Sequence, residues 1–199
     1  MGRLQRLFGQ QGLHQRLFRP SPAEPANSEA PSAVVQPSKR RQRLSPMAPD
    51  QSLPYSWILT NRLALGPMPI SLLHWQQLEQ AGLKSRFSCC YAEEETWEPI
   101  PSHWQSGGVS LPDHRRQEPL RHERLAEALA VAGALLAEDK PVYLHCMAGI
   151  ERSPLVAIGL TARERNLNMH AALDWVRRCH PAASPIYDHL ELLDQVLSS

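Results

Sequence analysis

Nine consecutive residues, His145-Cys146-Met147-Ala148-Gly149-Ile150-Glu151-Arg152-Ser153, hold the densest chemistry in this 199-residue chain. The apolar run Val142-Tyr143-Leu144 precedes them and a helical pattern follows, so they read as strand, loop and helix start. Such a turn points successive backbone N–H groups inward, above the positive end of the helix, and makes a cradle for a phosphate dianion. The amides of Met147, Ala148, Gly149, Ile150 and Glu151 line it, with Gly149 fitting where backbone approaches the ligand closely. The same partial positive charge favours a thiolate at Cys146, a candidate nucleophile. Arg152 can offer a planar fork to two phosphate oxygens, in the ground state and in the transition state. Ser153 is placed to donate a hydrogen bond to the sulfur when a phosphocysteine is hydrolysed. His145 is expected to orient the loop through hydrogen bonds.

A thiolate nucleophile needs a partner acid for the leaving group. Asp113, in Leu111-Pro112-Asp113-His114, lies 33 residues ahead of Cys146 at the end of a predicted strand. It could protonate the departing oxygen and then act as base toward water. Its rivals are Glu118 and the cluster Glu93-Glu94-Glu95, which reads as a solvated loop face. His114, Arg115 and Arg116 either rim the pocket and favour acidic substrates or are surface charge. Phosphoryl transfer asks mainly for positioning and charge stabilisation. These groups supply both with no metal and no cofactor.

The elements that must position this cluster follow from periodicity and punctuation. Ser56–Leu59 and Arg62–Leu65 read as strands around Thr60-Asn61. Ser71 is a candidate N-cap for a helix to about Gln80, stopped by Gly82. Lys84–Cys90 is strand-like, Tyr91–Gln105 an irregular loop, and Gly108–Leu111 a short strand. A long amphipathic helix runs from about Pro119 to Ala137 with Leu125, Ala128, Leu129, Ala132, Leu135 and Leu136 on its buried stripe. Pro141–His145 is a compact strand, and helices over about 152–164, 168–179 and 185–197 finish the chain. The alternation predicts an α/β fold with a central, mostly parallel, twisted sheet flanked by helices in three layers.

Residues 1–50 carry eight of the 21 basic and three of the 20 acidic side chains, leaving the remainder mildly acidic. A mildly acidic body argues against nucleic acid as a partner. No apolar run approaches a membrane span. Residues 1–54 read as a disordered tail, rich in Pro and Ser and ending in the basic run Lys39-Arg40-Arg41-Gln42-Arg43. It repeats QRLF at Gln5–Phe8 and Gln15–Phe18, which would allow peripheral membrane contact if helical, though an incidental pattern is the better reading. Residues 55–199 form the predicted catalytic domain. Four cysteines without disulfide or zinc spacing suggest a reducing, cytoplasmic setting, and a monomer is expected.

From about Trp57 to Leu197 the chain resembles the dual-specificity subgroup of the protein tyrosine phosphatase superfamily. His145, Cys146, Gly149, Arg152 and Ser153 match the signature HCxxGxxRS, and Asp113 falls at the family's usual separation. Leu63-Ala64-Leu65-Gly66 with Pro69, and Ala171, Leu173 and Val176 with Pro181, match as well. The resemblance implies hydrolysis of phosphomonoesters through a phosphocysteine on Cys146, with phosphotyrosine, phosphoserine or phosphothreonine in proteins as substrates. It also implies that Cys89 and Cys90 lie near the loop, where either could pair reversibly with an oxidised Cys146. The plainer reading makes them small strand residues, and Cys179 reads as packing.

Glu151 departs from the family, where many members carry a small residue. Its carboxylate could face the phosphate and repel charged substrates, or point outward and pair with a basic neighbour, the favoured reading. Cell-cycle phosphatases on the rhodanese fold also carry Glu before the loop Arg; Asp113 and the three terminal helices disfavour that fold. Two alternative functions stand beside the leading one: a phosphate-binding module with negligible turnover, and a phosphatase for lipid, carbohydrate or nucleotide phosphates. The absence of Lys from Met147 to Glu151 favours protein or another monophosphate.

Overall fold

Strand β5, Val142–Cys146, is buried along its whole length and forms the centre of a five-stranded sheet. The computed structural model describes residues 48–95 and 100–199, and the sheet order is β1-β2-β5-β3-β4. The QRLF echo and the basic run at 39–43 lie outside the described residues. β1 (Ser56–Leu59) runs antiparallel to β2 (Leu63–Pro67); the pairs β2–β5, β5–β3 (Ser85–Ser88) and β3–β4 (Gln105–Gly108) are parallel. The register sets Pro67 of β2 opposite Cys146 and Ser88 of β3 opposite His145. Cys146 therefore leaves the sheet at the carboxyl end of its central parallel strand, where open α/β sheets place their ligands.

Period-2 alternation decides which residues face which layer. Leu63, Leu65, Val142 and Leu144 join the large core, whereas Ala64 and Tyr143 face the other side with Trp75, Leu78, Leu83 and Trp104. Helix α1 (Leu72–Gln80) covers that smaller face, capped by the Ser71 hydroxyl, which accepts from the His74 N–H, and ended at Gly82 with φ +86°. Helices α2 (His122–Leu136), α3 (Arg152–Arg165), α4 (Met169–Cys179) and α5 (Tyr187–Ser198) fill the other layer. All six residues of the expected α2 stripe are buried. The predicted three-layer α/β arrangement is the one observed. Among the described residues no helix is long and apolar enough to cross a membrane.

Several boundaries differ from expectation; α2 starts at His122 rather than about Pro119, and β3 is confined to Ser85–Ser88. The strand expected at Gly108–Leu111 lies earlier, at Gln105–Gly108, where Gly107 and Gly108 hide it from propensity. Residues 109–111 continue beside β3 through the Val109 N–H to Ser88 and the Leu111 N–H to Cys89. The expected irregular loop holds a 3-10 turn at Ala92–Glu94. Packing also begins ahead of Tyr55. Leu53 is buried, and its N–H and C=O both pair with the Gln77 side chain at 2.8 Å.

Candidate active site

The loop from Met147 to Glu151 is held by its carbonyls. Met147 C=O accepts from the Met68 N–H (3.3 Å), Gly149 C=O from His180 Nε2 (3.0 Å) and Ile150 C=O from the Ser184 N–H (2.7 Å). Among the described residues none of the N–H groups from Met147 to Glu151 donates to a protein acceptor. This leaves a run of donors at a helix N-terminus, the arrangement an oxyanion needs. Gly149 has φ +69°, and a Cβ there would lie 2.6 Å from the Gly66 carbonyl carbon. Backbone meets backbone at this point, so only glycine fits. His180 also accepts from Ser56 at 2.9 Å, which ties β1 and the end of α4 to the loop. The sequence reading missed this group. Burial lowers its pKa, consistent with a neutral ring donating through Nε2 and accepting through Nδ1.

Cys146 is 2% exposed, and the Ser153 hydroxyl donates to its sulfur at 3.3 Å. Arg152 is nearly as buried. Its two Nη atoms meet the carboxylate of Glu94 at 2.6 and 3.1 Å, and Nη2 lies 3.4 Å from Asp113 Oδ2. Glu93-Glu94-Glu95 is therefore not the solvated face expected. Only Glu93 is well exposed, on Arg116. Glu94 clamps Arg152, and Glu95 accepts from Arg86 at 3.0 and 3.2 Å and from the Ser88 hydroxyl. The physical reason is that a guanidinium taken out of water needs a carboxylate beside it. Arg86 in the buried strand β3 and Arg152 at a helix start were the available signals, since each demanded an acid that the sequence order did not place. Burial would raise the Glu94 carboxyl, but Arg152, the Tyr91 N–H and Arg115 together hold the group below the usual range.

His145 is wholly buried, and its Nε2 lies 3.0 Å from Arg86 Nη1. Burial, reinforced by the Arg86 charge, pushes its pKa down to about 3, so the ring is neutral. Its ring partner is Arg86 rather than the loop from Met147 to Glu151, so any influence on that loop passes through the Arg86–Glu95 pair and the strand itself. Cys90, Glu95 and His145 also bring donor atoms within 4.8 Å of one another. Arg86 already sits on two of the three and supplies the cation there.

Asp113 is buried beside Arg152. Its carboxylate accepts from the Arg115 N–H (3.0 Å), Nε (2.9 Å) and Nη2 (2.5 Å), and Arg115 Nη2 reaches Glu94 as well (2.8 Å). Burial would raise the Asp113 carboxyl, but Arg115 and Arg152 together hold it below the ordinary aspartate range. The rival Glu118 is exposed and, among the described residues, bonds only to Tyr91, at 3.1 Å. Glu94, Asp113, Arg115 to Gln117 and Glu118 line a cleft of about 540 Å³. Glu151 turns away from the loop interior. His114 Nδ1 meets its two oxygens at 2.7 and 2.9 Å.

Cys89 and Cys90 are buried free thiols at the end of β3. Cys89 N–H bonds the His145 carbonyl at 2.9 Å, and Arg152 Nη1 reaches the Cys89 carbonyl at 3.4 Å. Burial pushes both thiols up, Cys90 to about 12. Cys179 is half-buried against the large core.

The fold is that of solved phosphatases such as DUSP15 and PTPMT1, and part of the sequence is similar to that of a curated dual specificity protein phosphatase. The chain is 28% identical over 102 residues to human dual specificity protein phosphatase 7, a stretch that covers 48% of this chain and 24% of that protein. PTPMT1, solved in complex with PI(5)P, superposes with a TM-score of 0.63 at 17% identity, over 72% of this chain and 94% of its own. A human tyrosine phosphatase-like serine/threonine/tyrosine-interacting protein gives 0.61 at 17%, over 72% and 95%. No family model matches the sequence.

Proposed function

We propose that the chain hydrolyses phosphomonoesters through a phosphocysteine on Cys146. The observation that carries this reading is the convergence of Cys146, the free loop amides and Arg152, with Asp113 3.4 Å from the guanidinium. The Cys146 thiolate attacks phosphorus and the bond to the leaving oxygen breaks, while Asp113 gives that oxygen its proton. Water then attacks the phosphocysteine, Asp113 takes a proton back, and the S–P bond breaks with help from the Ser153 hydroxyl. Arg152 and the amides of Met147 to Glu151 hold the equatorial oxygens throughout. Acid quenching during turnover of an aryl phosphate should capture a phosphoryl adduct on Cys146. Steady turnover with no adduct would overturn the covalent route.

Proteins carrying phosphotyrosine, phosphoserine or phosphothreonine are the substrates we favour. The matched human relative is a protein phosphatase by name, and the loop bears no Lys for polyanionic headgroups. The structure of PTPMT1 with PI(5)P keeps a lipid phosphate as the alternative. Capture of a phosphorylated partner without turnover is the second reading. It is favoured by the grip of Glu94 on both Nη atoms of Arg152, which substrate must share. Either Cys89 or Cys90 is the thiol we assign to a reversible disulfide with an oxidised Cys146.

Asp113 must be protonated for the first step, so activity falls as pH rises through its pKa. Arg115 holds that pKa down. Arg115→Gln is therefore expected to move the alkaline limb of kcat/KM to higher pH, which a pH–rate profile reads directly. An unmoved limb would mean that another acid serves the leaving group.

A further inference from the structure

The geometry points to a clasp between Glu151 and His114 that positions Asp113 as the general acid, an inference that rests on the catalytic reading above. Glu151 stands on the phosphate loop, and His114 directly follows the acid. The Glu151 carboxylate takes both the ring Nδ1–H of His114, at 2.7 and 2.9 Å, and its backbone N–H, at 3.3 Å. One side chain thus fixes the chain direction immediately after Asp113 relative to Cys146.

The acid itself meets Arg152, whose Nη2 lies 3.4 Å from Asp113 Oδ2, but few bonds hold the backbone around it. The Leu111 N–H to Cys89 carbonyl bond, at 3.1 Å, and the Arg152 Nη1 approach to Leu111, at 3.4 Å, anchor the segment before the acid. After it, the Arg116 N–H closes a turn on Asp113 itself at 3.0 Å, and Arg115 ties Asp113 and Glu94 to one another. None of these later bonds reaches the phosphate loop. The clasp does. His189 of α5 is the other histidine on which the Glu151 charge acts, and no hydrogen bond or ion pair joins the two among the described residues.

Exposure decides what the clasp can be for. The His114 side chain is 65% exposed, and a pair so open to water adds little to folding stability. Its effect lies in geometry, since a misplacement of about 1 Å can cost two orders of magnitude in rate. A positioned acid matters most when the leaving oxygen is strongly basic and hardly at all when it departs as a stable anion.

The test compares phenyl phosphate with 2,4-dinitrophenyl phosphate on the whole chain. In His114→Ala, kcat/KM, which reports the step that expels the leaving group, should fall about tenfold more with phenyl phosphate than with the dinitrophenyl ester. Glu151→Ala should show the same bias, and the double variant should show no more than either alone. Glu151→Gln, which keeps an acceptor for His114, should recover part of the loss. Equal losses on both esters, or additive losses in the double variant, would overturn the clasp as a positioning device. Asp113→Ala is the control. If it lacks the leaving-group bias, the acid assignment itself falls; if it has the bias and His114→Ala does not, the clasp alone falls.

Discussion

Cys146→Ser is expected to lower phosphatase turnover by on the order of 10⁴-fold or more, to the level of background hydrolysis. A hydroxyl keeps the shape of the site but gives up the easily formed anion that attacks phosphorus. Ser153 cannot substitute, because its hydroxyl already donates to the sulfur from the helix, 3.3 Å away. Binding should behave differently. The loop amides and Arg152 are untouched, so affinity for an aryl phosphate should stay the same or tighten. Measuring turnover and binding on one preparation therefore separates the two readings of the site. Turnover equal to that of the parent chain would exclude Cys146 as nucleophile.

Arg152→Ala carries the second large effect, because the guanidinium serves two partners. For catalysis, loss of the fork should cost at least 10²–10³-fold in kcat/KM, the scale for removing one strong donor from a developing oxyanion. For stability, the change strands the carboxylates of Glu94 and Asp113 near each other. Breaking a buried pair from one side costs about 3–5 kcal/mol, and Arg115, which reaches both acids, offsets part of that. The pH dependence gives the sign. In the parent chain both carboxyls are held below their ordinary range, so their contribution is full above that range and is lost as pH falls. Without Arg152 that loss on acidification should shrink, and urea melts at neutral and mildly acidic pH would read the difference. Arg152→Lys, which restores charge without the fork, should recover stability more than activity.

Much of this was written locally in the chain. The α2 stripe, the Ser71 cap, the Gly82 stop and the strand before Cys146 all follow from periods and punctuation that act over a few residues. So does the core of the site, since Cys146, Gly149, Arg152 and Ser153 sit within one strand–loop–helix turn. Asp113 was picked out by its motif Leu111-Pro112-Asp113-His114 and its separation of 33 residues from Cys146, which the family resemblance supplies rather than any local period.

Tertiary structure alone decided the partners. Glu94 and Glu95 look like solvated charge until the fold brings Arg152 and Arg86 beside them, 58 and nine residues away in sequence. Whether a carboxylate is solvated or buried against a guanidinium depends on the desolvation of the cation, which no local pattern records. Gly149 was legible as a glycine position, but its reason, the backbone of Gly66 at 2.6 Å from any Cβ, belongs to the packing of β2 against the loop. Glu151 shows the same division. Its departure from the family pattern was visible in the sequence, whereas its direction, outward onto His114, was fixed by where the acid-bearing turn comes to rest.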